Sequence, residues 1–144
     1  MPCLHVICQG NLKENYLKDA CAEYLKRLSP YCKVDIFECK SDLPDALYDR
    51  LSQTKGRKIA LCVEGKQTSS SGFAEMISSV FSSGESDIVF VIGGSDGLSE
   101  RVKGLCSFRL SFSEMTFPHQ LMRVILLEQI YRAFTIINGK TYHK

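Results

Sequence analysis

The sequence lacks the patterns that mark several large classes of protein. Its 144 residues hold seven cysteines but no C-x-x-C pair and no Cys/His cluster with the spacing of a zinc site. The first ten residues lack a basic segment followed by a long apolar run, so we expect no signal peptide. Together these features predict a cytoplasmic protein with reduced, mostly buried thiols and no bound metal.

Long hydrophobic runs and a strong excess of charge are also missing. The most apolar long stretch, residues 121–137, is interrupted by Arg123, Glu128 and Arg132, so we expect no membrane span. The net charge of +2 neither favours nor excludes an RNA partner. The length predicts one domain over residues 1–144.

Strand-like and helix-like patterns alternate along the whole chain. Predicted strands cover residues 3–8, 34–39, 58–63, 87–92 and 108–112. Predicted helices cover residues 17–28, a segment from Pro44 past Leu51, a segment from a Ser70 or Ser71 cap to Gly84, a short segment from Ser99 to Leu105, and a long one from about His119 to Ile137. This order predicts an α/β fold with a mostly parallel sheet flanked by helices, and the continuous apolarity of residues 87–92 predicts a central strand.

Three segments that follow predicted strands are candidate walls of one ligand cleft. In open α/β sheets, ligands bind beyond the carboxyl ends of the strands. The segments are the glycine turn at residues 92–97, the strand end at residues 61–66, and the loop at residues 111–119, which mixes apolar and small polar side chains as a pocket for adenine and ribose would. Each also fits a purely structural role: a tight turn, an ordinary loop with a solvated Lys66, and a helix start at His119.

The last helix and the tail suggest contacts outside the subunit. Apolar residues lie on more than one face of residues 121–137, which fits either a dimer interface or a core helix within one subunit. The tail, residues 140–144, combines cations with Tyr142, which suits phosphate contact and base stacking but also fits a solvated terminus.

These segments, taken together and in this order, resemble the RlmH family of SPOUT methyltransferases. The resemblance rests on Gly65-Lys66, the run IGGSDGLS, the block LSFSEMTFPHQLMRVILLEQIYRAF and the terminal Tyr142-His143. It implies a homodimer with a deep C-terminal trefoil knot, an exception to the rule that chains do not thread loops. It also implies S-adenosylmethionine-dependent methylation of N3 of a pseudouridine in 23S ribosomal RNA, on the assembled bacterial ribosome.

The same resemblance assigns residues to the site. The cofactor would contact or be shaped by ten residues: Leu61, Gly93, Gly94, Gly97, Ser113, Glu114, Met115, Thr116, Phe117 and Pro118. Near the target nucleotide would lie His119, Arg123, Tyr142 and His143, the last two reaching across from the partner subunit. Two positions depart from the family: Cys62 often corresponds to Asp, and Lys144 often to Arg, whose bidentate fork lysine lacks.

The chemistry predicted for such a site is direct displacement at a sulfonium methyl group, which needs positioning rather than a metal. The target N3–H must lose its proton, and histidine titrates in the right range, so His119 and His143 are both candidate bases. Arg123 or the backbone N–H groups of the glycine turn are candidates for stabilising the developing anion.

Two other functions compete with this prediction. A nicotinamide-dependent oxidoreductase needs G-x-G-x-x-G after its first strand, where Gly10 stands alone, and the glycine turn at residues 93–97 matches neither that motif nor a Walker loop. A non-enzymatic ribosome-associated binding factor of the same fold would keep ribosome binding without binding the cofactor.

Overall fold

A computed structural model describes residues 1–40 and 43–144 of the chain. In that part of the chain five strands alternate with five helices. The strands are β1 (Cys3–Gln9), β2 (Lys33–Cys39), β3 (Arg57–Gln67), β4 (Asp87–Ile92) and β5 (Phe108–Ser111). The helices are α1 (Asn15–Leu28), α2 (Pro44–Gln53), α3 (Ser70–Ser82), α4 (Glu100–Lys103) and α5 (His119–Ile137).

The strands form one sheet in the order β2-β1-β4-β3-β5, and every pair of neighbours is parallel. The predicted central position of residues 87–92 is confirmed, because β4 lies in the middle of this order. Helices cover both faces of the sheet, which explains why β4 is apolar at successive positions rather than at alternate ones.

Alternation along the strands divides the core between the two faces. Leu4 and Val6 of β1 pack into a cluster with α1, α3 and α5, whereas Ile7 packs with α2 and α4 on the opposite face. The long helix α5 lies against both α1 and α3, so several of its apolar faces are covered within one subunit. The core-helix interpretation of residues 121–137 therefore holds for these faces.

The β3 strand is longer than predicted. It continues through the polar residues after Val63 to Gln67, because its pairing with β5 is interrupted and then resumes. Leu61 pairs with Leu110, and Lys66 then pairs with the same residue, so residues 62–65 bulge out of the ladder. Polar composition alone hides such a strand, because Lys66 and Gln67 are exposed although they pair with β5.

The helix ends agree with the sequence in part. Ser99 caps α4 as predicted, but α4 ends at Lys103 rather than Leu105. For α3 the predicted caps Ser70 and Ser71 are wrong, because Ser69 accepts the N–H of Gly72 at 3.0 Å. Several serines in a row satisfy the same capping chemistry, and only the path of the chain selects among them.

The cysteines are all free thiols, as predicted, and four of the seven are buried. Burial raises the pKa of Cys8 and of Cys32 to about 12, so these thiols stay protonated. None of the helices in residues 1–40 and 43–144 combines the length and apolarity that crossing a bilayer requires.

Candidate functional site

A cleft of about 600 Å³ opens at the carboxyl edge of the sheet, beside the ends of β3, β4 and β5. Its volume lies in the range of small-molecule sites, and its position is the one expected for ligands of open α/β sheets. Three segments supply its walls: residues 61–64, residues 92–98, and residues 110–119. The structure therefore brings the three predicted segments together, although Gly65 and Lys66 lie outside the lining.

Nine of the ten residues predicted to contact or shape a cofactor site line this cleft, and Glu114 does not. The nine are Leu61, Gly93, Gly94, Gly97, Ser113, Met115, Thr116, Phe117 and Pro118. Glu114 is exposed in the same loop. A role for Glu114 in cofactor contact stays a prediction.

The glycine turn that follows β4 is closed by a hydrogen bond. The N–H of Gly97 donates to the carbonyl of Gly94 at 3.0 Å, and Gly97 has a φ of +74° that disfavours other residues. Gly93 is required for space, because a Cβ there would lie 2.5 Å from the carbonyl carbon of Gly97. At Gly94 a Cβ would meet only the side chain of Gln9, at 3.3 Å. Backbone groups of this turn therefore line the cleft directly.

The opposite wall is the bulge of β3. Cys62, Val63 and Glu64 line the cleft, and Gly65 returns the chain to the sheet. A Cβ on Gly65 would lie 2.7 Å from the backbone of Leu110, so this return requires glycine. The polar residues that the sequence presented as a loop therefore form a shaped wall next to β5.

An ion pair joins this wall to α4. The Nζ atom of Lys103 binds the carboxylate of Glu64 and lies 3.7 Å from that of Glu100. Lys103 is only 9% exposed and lines the cleft. The hydrogen bond lowers the pKa of Glu64 and raises that of Lys103, so both groups are charged at neutral pH.

The loop between β5 and α5 forms the third wall. The Ser111 hydroxyl donates to the carbonyl of Ser113 at 2.9 Å, and the Ser113 hydroxyl accepts the N–H of Met115 at 3.0 Å. Phe112 packs edge-on against Phe73 of α3, with ring centroids 5.8 Å apart. These contacts fix a loop that carries hydroxyl groups and an exposed Met115 along the cleft.

The residues predicted to lie near a target nucleotide do not all meet in one subunit. His119 is the first residue of α5 and lines the cleft. Arg123, one turn further on, is buried at 2% exposure, and its guanidinium binds Glu38 and the carbonyl of Gly10. A nucleotide contact by Arg123 stays a prediction, and the subunit gives its side chain a structural partner instead.

The tail folds against the middle of α5, outside the cleft lining. The Tyr142 hydroxyl donates to Glu128 at 2.9 Å, and its ring lies 4.8 Å from the guanidinium of Arg132. The His143 ring nitrogen Nδ1 lies 3.1 Å from Arg132. Desolvation and the Glu128 carboxylate raise the pKa of Tyr142 to about 12, so this phenol stays protonated. Neither Tyr142 nor His143 reaches the cleft of its own subunit.

Sequence reasoning missed Lys103 and the role of Glu64. A lysine on a short helix is usually solvated, and nothing in the pattern indicated that Lys103 is buried against β3. The cleft thus carries one ammonium and the carboxylates of Glu64 and Asp96 among its charged groups. No cluster of three or more His, Cys, Asp or Glu side chains suited to a metal ion occurs in the described part of the chain.

Comparison with known proteins agrees with this geometry. A family model described as a predicted SPOUT methyltransferase matches residues 3–143. The fold is similar to a probable methylase family protein from Haemophilus influenzae Rd KW20, with a TM-score of 0.61 and 11% identity over 98% of this chain and 70% of that one. It is also similar to the SpoU methyltransferase AviRb from Streptomyces viridochromogenes, with a TM-score of 0.52 and 14% identity over 95% of this chain and 61% of that one. At these identities the two structures share the fold alone.

Proposed function

Because this chain belongs to the SPOUT methyltransferase family, we propose that it methylates N3 of a pseudouridine in 23S ribosomal RNA, as an RlmH-type enzyme. The methyl donor is S-adenosylmethionine. One observation carries the proposal: nine of the ten residues assigned to the cofactor from the RlmH resemblance, together with His119, line one cleft at the carboxyl edge of the sheet. The specific target rests on the resemblance of residues 92–99, 110–134 and 142–143 to that family.

The cleft fits the proposed cofactor in size and in chemistry. Leu61 and Ile92 supply apolar surface for an adenine ring, and the hydroxyls of Ser113 and Thr116 suit a ribose. The glycine turn lines the cleft, so its backbone groups are available to a ligand. A net negative lining also suits a ligand whose reactive centre is a sulfonium cation. When bound, that sulfonium supplies an electrophilic methyl group.

The chain's own residues have two tasks in this reaction. They hold the nucleophilic N3 in line with the methyl group, and they take the N3 proton as the new C–N bond forms and the C–S bond breaks. His119 is the candidate base contributed by the cleft itself. His143 is a second candidate, contributed by a tail that does not reach the cleft of its own subunit.

A homodimer completes the site in this proposal. The tail lies against the middle of α5, and His119 and Glu128 are nine positions apart, which corresponds to roughly 14 Å along a helix. The tail of a second copy is not held at this distance from the cleft, so it can bring Tyr142 and His143 to the cleft. Exposed apolar side chains at Leu121 and Met115, both close to the cleft, suit such a contact. The C-terminal trefoil knot of the family belongs to the same proposal.

The ribosome as substrate accounts for the modest charge of the chain. A net charge of +2 provides little non-specific attraction to RNA, so recognition would depend on the shape of an assembled particle rather than on charge. Naked 23S RNA should then be a poorer substrate than the ribosome. This difference also separates the proposal from a general RNA-binding role.

Cofactor binding and methyl transfer together test the proposal. Calorimetry should show binding of S-adenosylmethionine but not NADH, and tritium from the labelled methyl group should enter bacterial ribosomes that lack the modification. Ribosome binding without cofactor binding would instead favour a non-enzymatic factor. Binding of NADH alone would favour an oxidoreductase and contradict the proposal.

A further inference from the structure

The segment between β1 and α1 is fastened to the start of α5. Arg123 donates to the carbonyl of Gly10 at 3.2 Å and to Glu38 at the end of β2. The same Glu38 oxygen accepts the N–H of Leu12 at 3.1 Å. The N–H of Lys13 donates to the side chain of Gln120 at 3.2 Å, one residue beyond His119. Residues 10–13 therefore have a fixed place beside the cleft.

Arg123 acts here as a positioning residue. Its guanidinium is buried, and the bonds to Glu38 and Gly10 occupy Nη1 and Nη2. Gly10 has a φ of +86°, and its N–H donates to the carbonyl of Cys39 at 2.6 Å, so the turn is held from both sides. Because the guanidinium of Arg123 is occupied in this way, other residues of this region must supply any cation that contacts a phosphate next to His119.

The fastened segment presents an aromatic ring and lysines to solvent. Tyr16, in the first turn of α1, is 69% exposed. Lys13 and Lys18 lie on either side of it in the sequence and are exposed. Lys40, exposed at the end of β2, joins this region through its carbonyl, which accepts the side-chain amide of Gln9 at 2.8 Å. We call Lys13, Tyr16, Lys18 and Lys40 the β1–α1 surface.

We propose that the β1–α1 surface binds the RNA substrate next to the reacting nucleotide, with a base stacked on Tyr16 and phosphates at the lysines. This inference rests on the proposed function. Exposed aromatic rings beside cations are the usual means of holding single-stranded segments, because every base offers a face for stacking. Within residues 10–19 the exposed lysines Lys13 and Lys18 balance the exposed carboxylates of Glu14 and Asp19, and Lys40 after β2 adds one positive charge that suits phosphate.

The position of this surface supports RNA over an unrelated partner. Gln9 lies against the glycine turn, where a Cβ on Gly94 would be 3.3 Å from its Cγ. The β1–α1 segment thus borders the cleft at the glycine turn and at the start of α5. An RNA loop that places one nucleotide in the cleft extends over neighbouring surface, and this segment is the rim on the side of β1.

The test measures binding of the full-length protein to bacterial ribosomes by co-sedimentation, over a range of salt concentrations. The variants are Tyr16→Ala, Tyr16→Phe and the double variant Lys13→Ala/Lys18→Ala. The matched control is Lys33→Ala/Lys55→Ala, because both lysines are exposed and Lys33 begins β2 while Lys55 precedes β3, at the end of the sheet opposite the cleft. Calorimetry with S-adenosylmethionine and the melting temperature establish that each variant is folded and keeps its cleft.

We expect Tyr16→Ala to raise the Kd for ribosomes about tenfold, and Tyr16→Phe to restore it, because stacking needs the ring rather than the hydroxyl. The double lysine variant should weaken binding and lower the slope of log K against log salt by roughly 1 to 2. Cofactor affinity should stay within about twofold in every variant.

Ribosome binding by Tyr16→Ala and the double lysine variant that equals that of the control would overturn the inference. Methyl transfer by the wild-type protein would still stand in that case, so the proposed function and the surface fail separately. Equal loss of binding in the control would also overturn it, since the effect would then follow total charge. If the wild-type protein still binds ribosomes after nuclease has removed the accessible RNA, its binding depends on a ribosomal protein. That result would assign the surface to a protein partner and overturn the inference.

Discussion

Arg123 of α5 and Glu38 of β2 form an ion pair between residues 85 positions apart, with Nη1 and Oε2 at 2.5 Å. The pair joins the longest helix to the strand at the edge of the sheet, and it fixes the turn at Gly10 between them. The arginine is buried and its Nε atom has no hydrogen-bond partner in the described part of the chain. Such a group is costly if its acidic partner is lost.

Arg123→Met should therefore destabilise the fold strongly. Removal of the guanidinium leaves the Glu38 carboxylate, which is 36% exposed and partly solvated, without its main hydrogen-bond donor, and this should cost about 1.5–3 kcal/mol. The matched control is Arg57→Met, because Arg57 pairs with Glu85 at 3.4 Å in a more exposed setting and should cost less than ~1 kcal/mol. Urea unfolding measures both, and equal losses would show that burial of Arg123 has no energetic consequence.

Glu38 should make the stability depend on pH in acid. Desolvation raises the pKa of this carboxyl, but the hydrogen bonds from Arg123 and Leu12 outweigh it, and the pKa in the folded chain is lowered. The stabilisation is complete above the unfolded value, which is about 4.3 for glutamate. It is lost as the pH falls through the lowered folded value, because the unfolded chain then binds more protons.

The measurement is urea unfolding of the wild type and Glu38→Gln between neutral and acid pH. The free energy of unfolding of the variant should be lower at neutral pH and should change less in acid than that of the wild type. Glu85→Gln serves as the control, because the Glu85 side chain is as exposed as that of Glu38 but pairs with a partly exposed arginine. Parallel pH curves for the wild type and Glu38→Gln would contradict the assignment.

The two adjacent glycines of the turn should respond differently to alanine. Gly93→Ala places a Cβ 2.5 Å from backbone carbon, which must shift the turn and lower the melting temperature by several degrees. Gly94→Ala meets only the flexible Gln9 side chain, so stability should change little while the new methyl group reduces cofactor affinity. Scanning calorimetry and cofactor titration separate the two effects. Normal cofactor affinity in a folded Gly94→Ala protein would remove this turn from the proposed cofactor site.

Lys103 should act on cofactor binding through Glu64. Loss of the ammonium releases the β3 bulge that lines the cleft, so Lys103→Met should weaken S-adenosylmethionine binding by roughly fivefold, which equals about 1 kcal/mol. Arg101→Met is the control, because Arg101 lies on the same helix and pairs with exposed Asp45 at 3.3 Å. In a double-mutant cycle, Glu64→Gln should add little to Lys103→Met. Additive effects would show that the pair does not position this wall.

Alanine variants of His119 and His143 should identify the catalytic base. If one of them is the base, its alanine variant should lose ~10²–10⁴ in kcat while cofactor affinity is kept.

A cleft variant, His119→Ala, and a tail variant, Tyr142→Ala, should regain activity when refolded together, because one site of the mixed dimer then has both intact parts. No recovery would contradict a tail supplied by the partner, and full turnover in His119→Ala and His143→Ala would refute a histidine base.

The sequence predicted the order of elements, the central β4 and the convergence of three segments on one edge of the sheet. These features depend on periodicity and on strand–helix alternation, which are local properties. It did not predict the bulge at residues 62–65, because that shape arises from the packing of Gly65 against Leu110. The burial of Lys103 was not predicted either, because it depends on contacts between segments that are far apart in the sequence.

Arg123 illustrates the same limit from the other direction. An arginine in an apolar helix, close to a predicted site, suggests contact with a ligand. The partner that holds it, Glu38, lies in a separate strand, and nothing in the spacing linked the two. The sequence therefore predicted that Arg123 lies near the site, but only the folded structure shows which groups its side chain contacts.

Mapping the nucleotide that receives the methyl group tests the proposed function directly. Ribosomes lacking the modification are incubated with the protein and S-adenosylmethionine carrying a labelled methyl group, and 23S RNA fragments are analysed by mass spectrometry. The proposed function predicts one labelled nucleotide, a pseudouridine methylated at N3, and less label with Gly94→Ala at the same cofactor concentration. Label on a different RNA, or at a different atom, would contradict the proposed substrate, and no label with bound cofactor and unmodified ribosomes would contradict the proposed reaction.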